Sequence, residues 1–203
     1  MMRPGRQPRQ QINCSFREAV MAKHLTRDEL MAGLPHILES PANDGEVRAI
    51  VVRPASEQRL DVTSCDVSLA GGLQGDHWAK GCWKSTDDGQ PHPDVQICIM
   101  NARCIDLIAG ERSNWPPAGD NLFVDMDLRP ANLPPGQRLQ VGSAVIEITD
   151  TPHMGCDKFI QRYGRDATVF VNTGVGRENR LRGIYARVET DGQITVGDKL
   201  SKV

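Results

Sequence analysis

The sequence predicts a mostly β fold of the α+β class, with short strands and a few short helices. Nineteen glycines and thirteen prolines, against nine aromatic residues, indicate many turns between short elements. Several segments are rich in β-branched residues or alternate between apolar and polar residues, which is typical of strands. Because 203 residues suffice for one hydrophobic core, residues 21–203 are expected to form a single domain.

The first twenty residues differ in composition from the rest of the chain. They contain four arginines and one acidic residue, and they show no hydrophobic period. Residues 1–20 are therefore predicted to be a disordered basic tail. Two alternatives remain open: a transit peptide, which would also be rich in arginine and poor in acids, or translation that begins at Met21.

The first predicted helix begins at a capping box. The Thr26 hydroxyl and the Glu29 carboxylate are spaced to satisfy backbone N–H groups at the start of a helix. Gly33 and Pro35 are expected to limit this helix. Two further short helices are predicted, over Ala102–Gly110 and Asp157–Gly164. A glycine is expected to end each of them.

The predicted strands follow the β-branched and alternating segments. They lie at 46–53, 59–68, 95–101, 121–124, 143–149, 182–189 and 193–196. Alternate residues from Ala144 to Ile148 are expected to share one face of their strand. The last two strands are expected to form a hairpin at Asp191-Gly192. The segment Leu69–Asp94 is too long for a simple connector, so it is interpreted as a loop that is either functional or disordered.

Charge and hydropathy argue against two classes of partner. The net charge of −2 is too small to collect nucleic acid or an anionic membrane without a local patch. No apolar run approaches the roughly 20 residues that a membrane-spanning helix needs, and no secretory signal pattern is found at the N-terminus. We therefore expect a cytoplasmic protein that binds neither nucleic acid nor membrane.

The cysteines indicate free thiols. None of the six forms a Cys-x-x-Cys pair, which argues against a zinc ribbon or a thioredoxin-like site. His77, Cys82 and His92 share one loop, but their spacing matches no common zinc site, so a solvated loop is the preferred interpretation. All cysteines except Cys156 are expected to be structural or to lie in the tail: Cys14, Cys65, Cys82, Cys98 and Cys104.

Four segments stand out in chain order: Gly72-Leu-Gln-Gly-Asp76, Gly119-Asp-Asn-Leu122, the strand Val141–Thr149 leading to Cys156 and Lys158, and Arg182-Gly-Ile-Tyr-Ala-Arg-Val188 followed by Gly192 and Gly197-Asp198. Together they resemble motifs of the MOSC domain family, named for the C-terminal domain of molybdenum cofactor sulfurases. The resemblance covers most of the chain from about Glu46 onward. Two positions depart from the family pattern: Gly155 precedes Cys156 where proline is frequent, and Asp120 replaces a glutamate.

The resemblance implies a β-barrel with short helices at its rim and a cleft for the pterin-based molybdenum cofactor. The thiolate of Cys156 would then be the metal ligand. Related proteins reduce N-hydroxylated bases and amines, while others are thought to carry the cofactor or its sulfur. Pyridoxal phosphate binding is associated with the family as a whole, and no residue of this chain is assigned to it. No pyridoxal-phosphate domain or ferredoxin-type cysteine cluster is found, so a separate electron-donor or sulfur-donor protein is expected.

Cys156 and His153 are the predicted catalytic residues. A soft thiolate suits a thiophilic metal, and a position between a strand and the start of a helix favours the anion. The His153 imidazole could donate to an oxo group, move a proton to a leaving group, or cap the turn after Pro152. The ordinary alternative for Cys156 is a small buried apolar side chain.

Six further residues are predicted to hold the cofactor: Gly75, Asp76, Asn121, Lys158, Asn172 and Arg182. Carboxylate and amide groups match the donors and acceptors of a pterin edge, and cations match a phosphate. A turn or a solvated surface position is the alternative for each of them.

The leading hypothesis is therefore a molybdenum-dependent reductase of N-hydroxylated small molecules. A non-catalytic carrier that holds sulfur as a Cys156 persulfide is the main alternative. A third possibility is a small-ligand barrel that has lost the cofactor, which the changes at Gly155 and Asp120 mildly favour.

Overall fold

The computed structural model describes residues 24–203. The predictions for the tail at 1–20, for Cys14 and for a start at Met21 lie outside the described residues. The strands are β1 (Gly45–Val52), β2 (Leu60–Val62), β3 (Ser64–Ser68), β4 (Gly72–Leu73), β5 (Ile97–Asn101), β6 (Leu122–Asp125), β7 (Arg138–Val141), β8 (Ala144–Ile148), β9 (Ile184–Thr190), β10 (Gly192–Thr195) and β11 (Lys199–Lys202). The helices are α1 (Arg27–Leu38), α2 (Ala102–Ala109), α3 (Asp157–Asn172) and α4 (Gly174–Glu178).

Seven strands of the described chain close into a mixed β-barrel. Their order is β1, β11, β7, β8, β9, β5 and β6, and β6 pairs again with β1. The β5–β6 pair is parallel and the other barrel pairs are antiparallel. Strand β2 adds to β1 outside the ring, and β10, β3 and β4 form a small second sheet. The predicted barrel with short peripheral helices is confirmed.

Several strand predictions need correction. The segment 59–68 is not one strand, because the chain breaks at Thr63 and sends β2 and β3 into different sheets. The predicted final hairpin is wrong, since β10 pairs with β3 rather than with β9. The strand suggested by the family motif at 141–149 is the end of a β7–β8 hairpin, and β7 and β11 were not predicted.

The three predicted helices begin where predicted, α1 extends further, and α4 was not predicted. The capping box of Thr26 and Glu29 is present, yet α1 continues through Pro35 to Leu38. An internal proline costs about 3 kcal/mol, and burial of the apolar face that includes Ile37 offsets this cost. Gly164 ends the first helical segment of α3 as predicted, because its φ of 86° and ψ of 169° are not helical, but a second helical segment continues beyond this kink.

Two hydrophobic cores lie on the two faces of the barrel wall. Ile99 and its neighbours fill the barrel interior, whereas Met100, the next residue of β5, packs outward against the helices. Leu30 of α1, Ile105 of α2 and Phe159 of α3 belong to this outer core. The start of α3, where Cys156 lies, is therefore anchored to the outside of the barrel. None of the helices within residues 24–203 combines the length and apolar character needed to cross a bilayer.

Candidate functional site

A cleft of about 610 Å³ brings together residues from widely separated parts of the sequence. Its lining comes from the end of β1, the loop after β4, the turn before β6, the segment 152–158, α3 and the start of β9. Four of the predicted site residues line it: His153, Cys156, Lys158 and Arg182. The other four, Gly75, Asp76, Asn121 and Asn172, do not.

Cys156 is the residue immediately before α3. Its carbonyl oxygen accepts hydrogen bonds from the backbone N–H groups of Phe159 at 2.8 Å and Ile160 at 3.2 Å. Its side chain makes no capping hydrogen bond, and it is exposed, whereas Cys65, Cys98 and Cys104 are buried. The backbone therefore fixes the position of Cys156 while the thiol stays accessible in the cleft.

Asn172 holds the segment that carries Cys156. Its side-chain oxygen accepts a hydrogen bond from the Gly155 N–H at 2.8 Å, and its Nδ2 donates to the Gly155 carbonyl oxygen at 3.0 Å. A β-carbon at position 155 would lie 3.1 Å from Asn172 Nδ2. A proline there would have no N–H for this pair. Gly155, which stands where the family often has proline, is thus the residue that Asn172 holds through two hydrogen bonds.

His153 lies in a buried position between two cavities. Its side chain is only 5% exposed, and among the described residues its Nδ1 has no hydrogen-bond partner, although Asp120 Oδ1 lies 3.6 Å away. It lines the cleft and also a neighbouring pocket of about 200 Å³, together with Arg182. Burial lowers the pKa of His153 well below its ordinary value, and the charges of Arg182 and Arg53 lower it further.

Arg182 is paired with a buried carboxylate. Its Nη1 donates to both oxygens of Asp120, at 3.0 and 2.9 Å, and its Nη2 donates to the Ala118 carbonyl oxygen at 3.1 Å. Asp120 is fully buried and Arg182 is 6% exposed. Burial raises the pKa of Asp120, and the charge of Arg182 opposes this rise. Arg182 therefore stabilises the wall of the cleft, and its charge is compensated by Asp120.

Asp76 and Asn121 lie beneath the cleft, where Asp76 holds Arg53 and Asn121 holds Asp76. One Asp76 oxygen accepts from Arg53 Nε at 2.8 Å and from Asn121 Nδ2 at 2.9 Å, while the other accepts from the Trp78 N–H at 3.0 Å. Burial opposes ionisation of Asp76, but Arg53 outweighs it and the pKa of Asp76 is lowered. The Oδ1 atom of Asn121 accepts a hydrogen bond from the Cys98 N–H at 3.1 Å.

Gly75 lies outside the cleft, in the turn after β4, where it lines a pocket along the β3–β4 hairpin. Its φ of 86° is a left-handed value that favours glycine. The position therefore serves the turn that delivers Asp76 to Arg53.

Five cations line the cleft: Arg53, Arg59, Lys158, Arg162 and Arg182. Three carboxylates pair with four of them: Asp76 with Arg53, Asp120 with Arg182, and Glu57 with both Lys158 and Arg162. Within residues 24–203, Arg59 pairs with no carboxylate, and its buried Nε has no hydrogen-bond partner. Burial lowers the pKa of Arg59, and the charges of Arg162 and Arg53 add to this effect. The cleft thus has a local excess of positive charge.

Sequence reasoning missed several residues of the cleft. Arg53 and Arg59 were not singled out, since neither lies in a recognisable motif. His77 and Cys82 were interpreted as part of a solvated loop, but both line the cleft. His77 Nδ1 lies 2.8 Å from the Arg53 carbonyl oxygen, and Cys82 donates to the Lys84 carbonyl oxygen. In the described part of the chain, no group of three or more His, Cys, Asp or Glu side chains is arranged to hold a metal ion.

Comparison with known proteins identifies the family. A family model for the MOSC domain matches residues 74–201, which is more than half of the chain. The chain belongs to the MOSC domain family. This family is associated with molybdenum cofactor binding. A search of the curated proteins finds no match.

Solved structures share the MOSC fold at low sequence identity. The YuaD protein from Bacillus subtilis has a TM-score of 0.51 and 19% identity, over 77% of this chain and 93% of that one. YiiM from Geobacillus stearothermophilus has a TM-score of 0.50 and 17% identity, over 78% and 75%. A structure described as a hypothetical protein has a TM-score of 0.52 and 17% identity, over 82% and 71%. At these identities the likeness establishes the fold alone.

Proposed function

We propose that this MOSC domain binds the molybdenum cofactor in the cleft and reduces N-hydroxylated small molecules, with Cys156 as the metal ligand. The observation that carries the proposal is an exposed thiol at the start of α3 in a cleft with excess positive charge. Thiolates suit thiophilic metals, and cations suit the phosphate of the cofactor.

The side chains of the cleft fit such a ligand. Arg59 has a buried Nε without a partner, which an anionic ligand would satisfy. Lys158 and Arg162 share a single carboxylate, that of Glu57, so their charges are only partly compensated. We assign the phosphate to Arg59, Lys158 and Arg162. In this proposal Lys158 contacts the cofactor directly, as the sequence predicts.

The other predicted residues support the site from behind. Asp76 holds Arg53, and Asn121 holds Asp76. Asn172 holds the Cys156 segment, and Asp120 holds Arg182. Gly75 supplies the turn before Asp76. Their loss is therefore expected to displace binding groups rather than to remove direct contacts with the cofactor.

When bound, the molybdenum cofactor supplies the two-electron reduction of an N–O bond. His153 is the proton-handling residue of the cleft. Because its pKa is lowered, the ring is neutral at pH 7 and gives up a proton readily once it has received one. The electrons are expected from a separate donor protein.

Metal analysis tests this proposal. The full chain is co-expressed with the enzymes of cofactor synthesis, and its molybdenum and pterin contents are measured. Wild type is expected to carry both, and Cys156→Ser is expected to lose most of the molybdenum. Cys82→Ser is the matched control, because Cys82 lines the same cleft and hydrogen-bonds to Lys84. A wild type without molybdenum, or full retention in Cys156→Ser, would contradict the proposal.

A carrier function is the second candidate, favoured by the exposure of the Cys156 thiol to a partner protein. Such a carrier would hold the cofactor, or sulfur as a Cys156 persulfide received from a sulfur-donor protein. Bound cofactor or labile sulfur on Cys156, without turnover of N-hydroxylated substrates under artificial electron supply, would identify it.

A further inference from the structure

Three of the aromatic rings that line the cleft, those of Trp83, Tyr185 and His153, form a row. The Tyr185 ring lies 6.3 Å from the Trp83 ring, at 45°, and 4.3 Å from the His153 ring, at 38°. These separations are close to the usual range of ring contacts in proteins. All three side chains line the cleft. The row runs from an exposed end at Trp83 to a buried end at His153, three residues before Cys156.

Trp83 is the unusual member of this row. It is 69% exposed, whereas Trp78 and Trp115 are only 6% and 7% exposed. A large exposed apolar side chain at the edge of a cleft is a common feature of binding sites. Met154, which is 43% exposed, adds apolar surface to the same cleft.

The aromatic rings and two of the cations assigned to the phosphate come from different parts of the chain. Trp83 lies in the loop after β4 and Tyr185 in β9. Lys158 and Arg162 lie in α3 and pair with Glu57, which lies in the loop after β1. The cleft therefore contains both cations, which suit an anion, and exposed aromatic surface, which suits a flat apolar group.

We propose that Trp83 and Tyr185 form a stacking site for the flat aromatic ring of the substrate. This inference rests on the proposed function, because it names the substrate class of the same site. An aryl or heteroaryl N-hydroxy compound covers the Trp83 indole and places its polar end on the His153 side. An aliphatic N-hydroxy compound lacks this contact and binds more weakly.

Fluorescence of the full-length protein, with and without cofactor loading, tests the proposal directly. The probes are benzhydroxamic acid and acetohydroxamic acid, which share the N-hydroxy amide and differ in the ring. Benzhydroxamic acid is expected to quench tryptophan emission in both preparations, and acetohydroxamic acid is not. Most of the quenching is expected to disappear in Trp83→Phe, since Trp78, which also lines the cleft, is only 6% exposed and Trp115 does not line it. Quenching of undiminished size in Trp83→Phe would overturn the proposal.

Calorimetry supplies the second readout. Trp83→Ala is expected to weaken binding of benzhydroxamic acid by roughly three- to tenfold, as loss of an aromatic pair predicts, without affecting acetohydroxamic acid. Leu69→Ala is the control, because Leu69 is 55% exposed and lies outside the cleft. Equal binding of the two acids, or no change in Trp83→Ala, would overturn the proposal. So would a loss of quenching on cofactor loading, which would assign Trp83 to the pterin.

The two proposals can fail separately. Ring-dependent binding at Trp83 in a chain that takes up no molybdenum would leave the stacking site standing and refute the cofactor proposal. Molybdenum uptake that depends on Cys156, without any ring-dependent effect at Trp83, would do the reverse.

Discussion

Replacement of Asp120 by alanine is expected to destabilise the protein strongly. Asp120 is fully buried, and both of its oxygens accept from Arg182, which is itself 6% exposed. The substitution leaves a buried guanidinium without its carboxylate, and breaking such a pair costs about 3–5 kcal/mol. For a domain of this size each kcal/mol lowers the melting temperature by about 2–4 °C, so a decrease of roughly 6–20 °C is expected.

Urea unfolding and thermal melting of the metal-free chain measure this effect. Asp125→Ala is a matched control, since Asp125 also accepts two hydrogen bonds from an arginine, Arg103, but both side chains are partly exposed. That variant is expected to lose no more than about 1 kcal/mol. The double variant Asp120→Leu with Arg182→Met is expected to recover most of the lost stability. Equal losses in Asp120→Ala and Asp125→Ala would refute the reasoning.

Three further predictions concern the cleft. Asn172→Ala removes both hydrogen bonds to Gly155, so we expect a loss of about 1–3 kcal/mol in urea unfolding and faster labelling of Cys156 by thiol reagents; unchanged labelling would contradict this. The pKa of His153 is lower in the folded than in the unfolded state. Its contribution to the unfolding free energy is therefore constant above about pH 6.5 and decreases as the pH falls below that value, by at most about 1.4 kcal/mol per pH unit. His153→Gln is expected to lessen that fall, and an identical pH profile would show that another group causes it. Arg59→Met is expected to weaken inorganic phosphate binding in calorimetry about tenfold, since a charge-assisted hydrogen bond is lost, and unchanged binding would remove Arg59 from the anion site.

Local signals in the sequence predicted much of the fold. The capping box at Thr26, the alternation in β8 and the glycine after α2 each act within a few residues, and each prediction is confirmed. The pairing of β10 with β3 joins residues such as Gln193 and Asp66 that are far apart in sequence. No local pattern encodes such a pairing, and proximity in sequence wrongly favoured β9 as the partner.

The candidate site was predictable only where a motif carried it. The family motif pointed to Cys156, and the position of this residue at an exposed helix start is that expected from the sequence. Arg53 and Arg59 could not be found in the same way, because their importance depends on burial and on which carboxylates reach them. The partner of Asp76 is Arg53, 23 residues earlier, and only the folded chain brings the two together.

The most direct test of the central claim is X-ray absorption at the molybdenum edge on cofactor-loaded protein. The account predicts one more sulfur scatterer around molybdenum in wild type and in Cys82→Ser than in Cys156→Ser, after correction for metal content. Identical sulfur coordination in all three proteins would contradict ligation by the Cys156 thiolate.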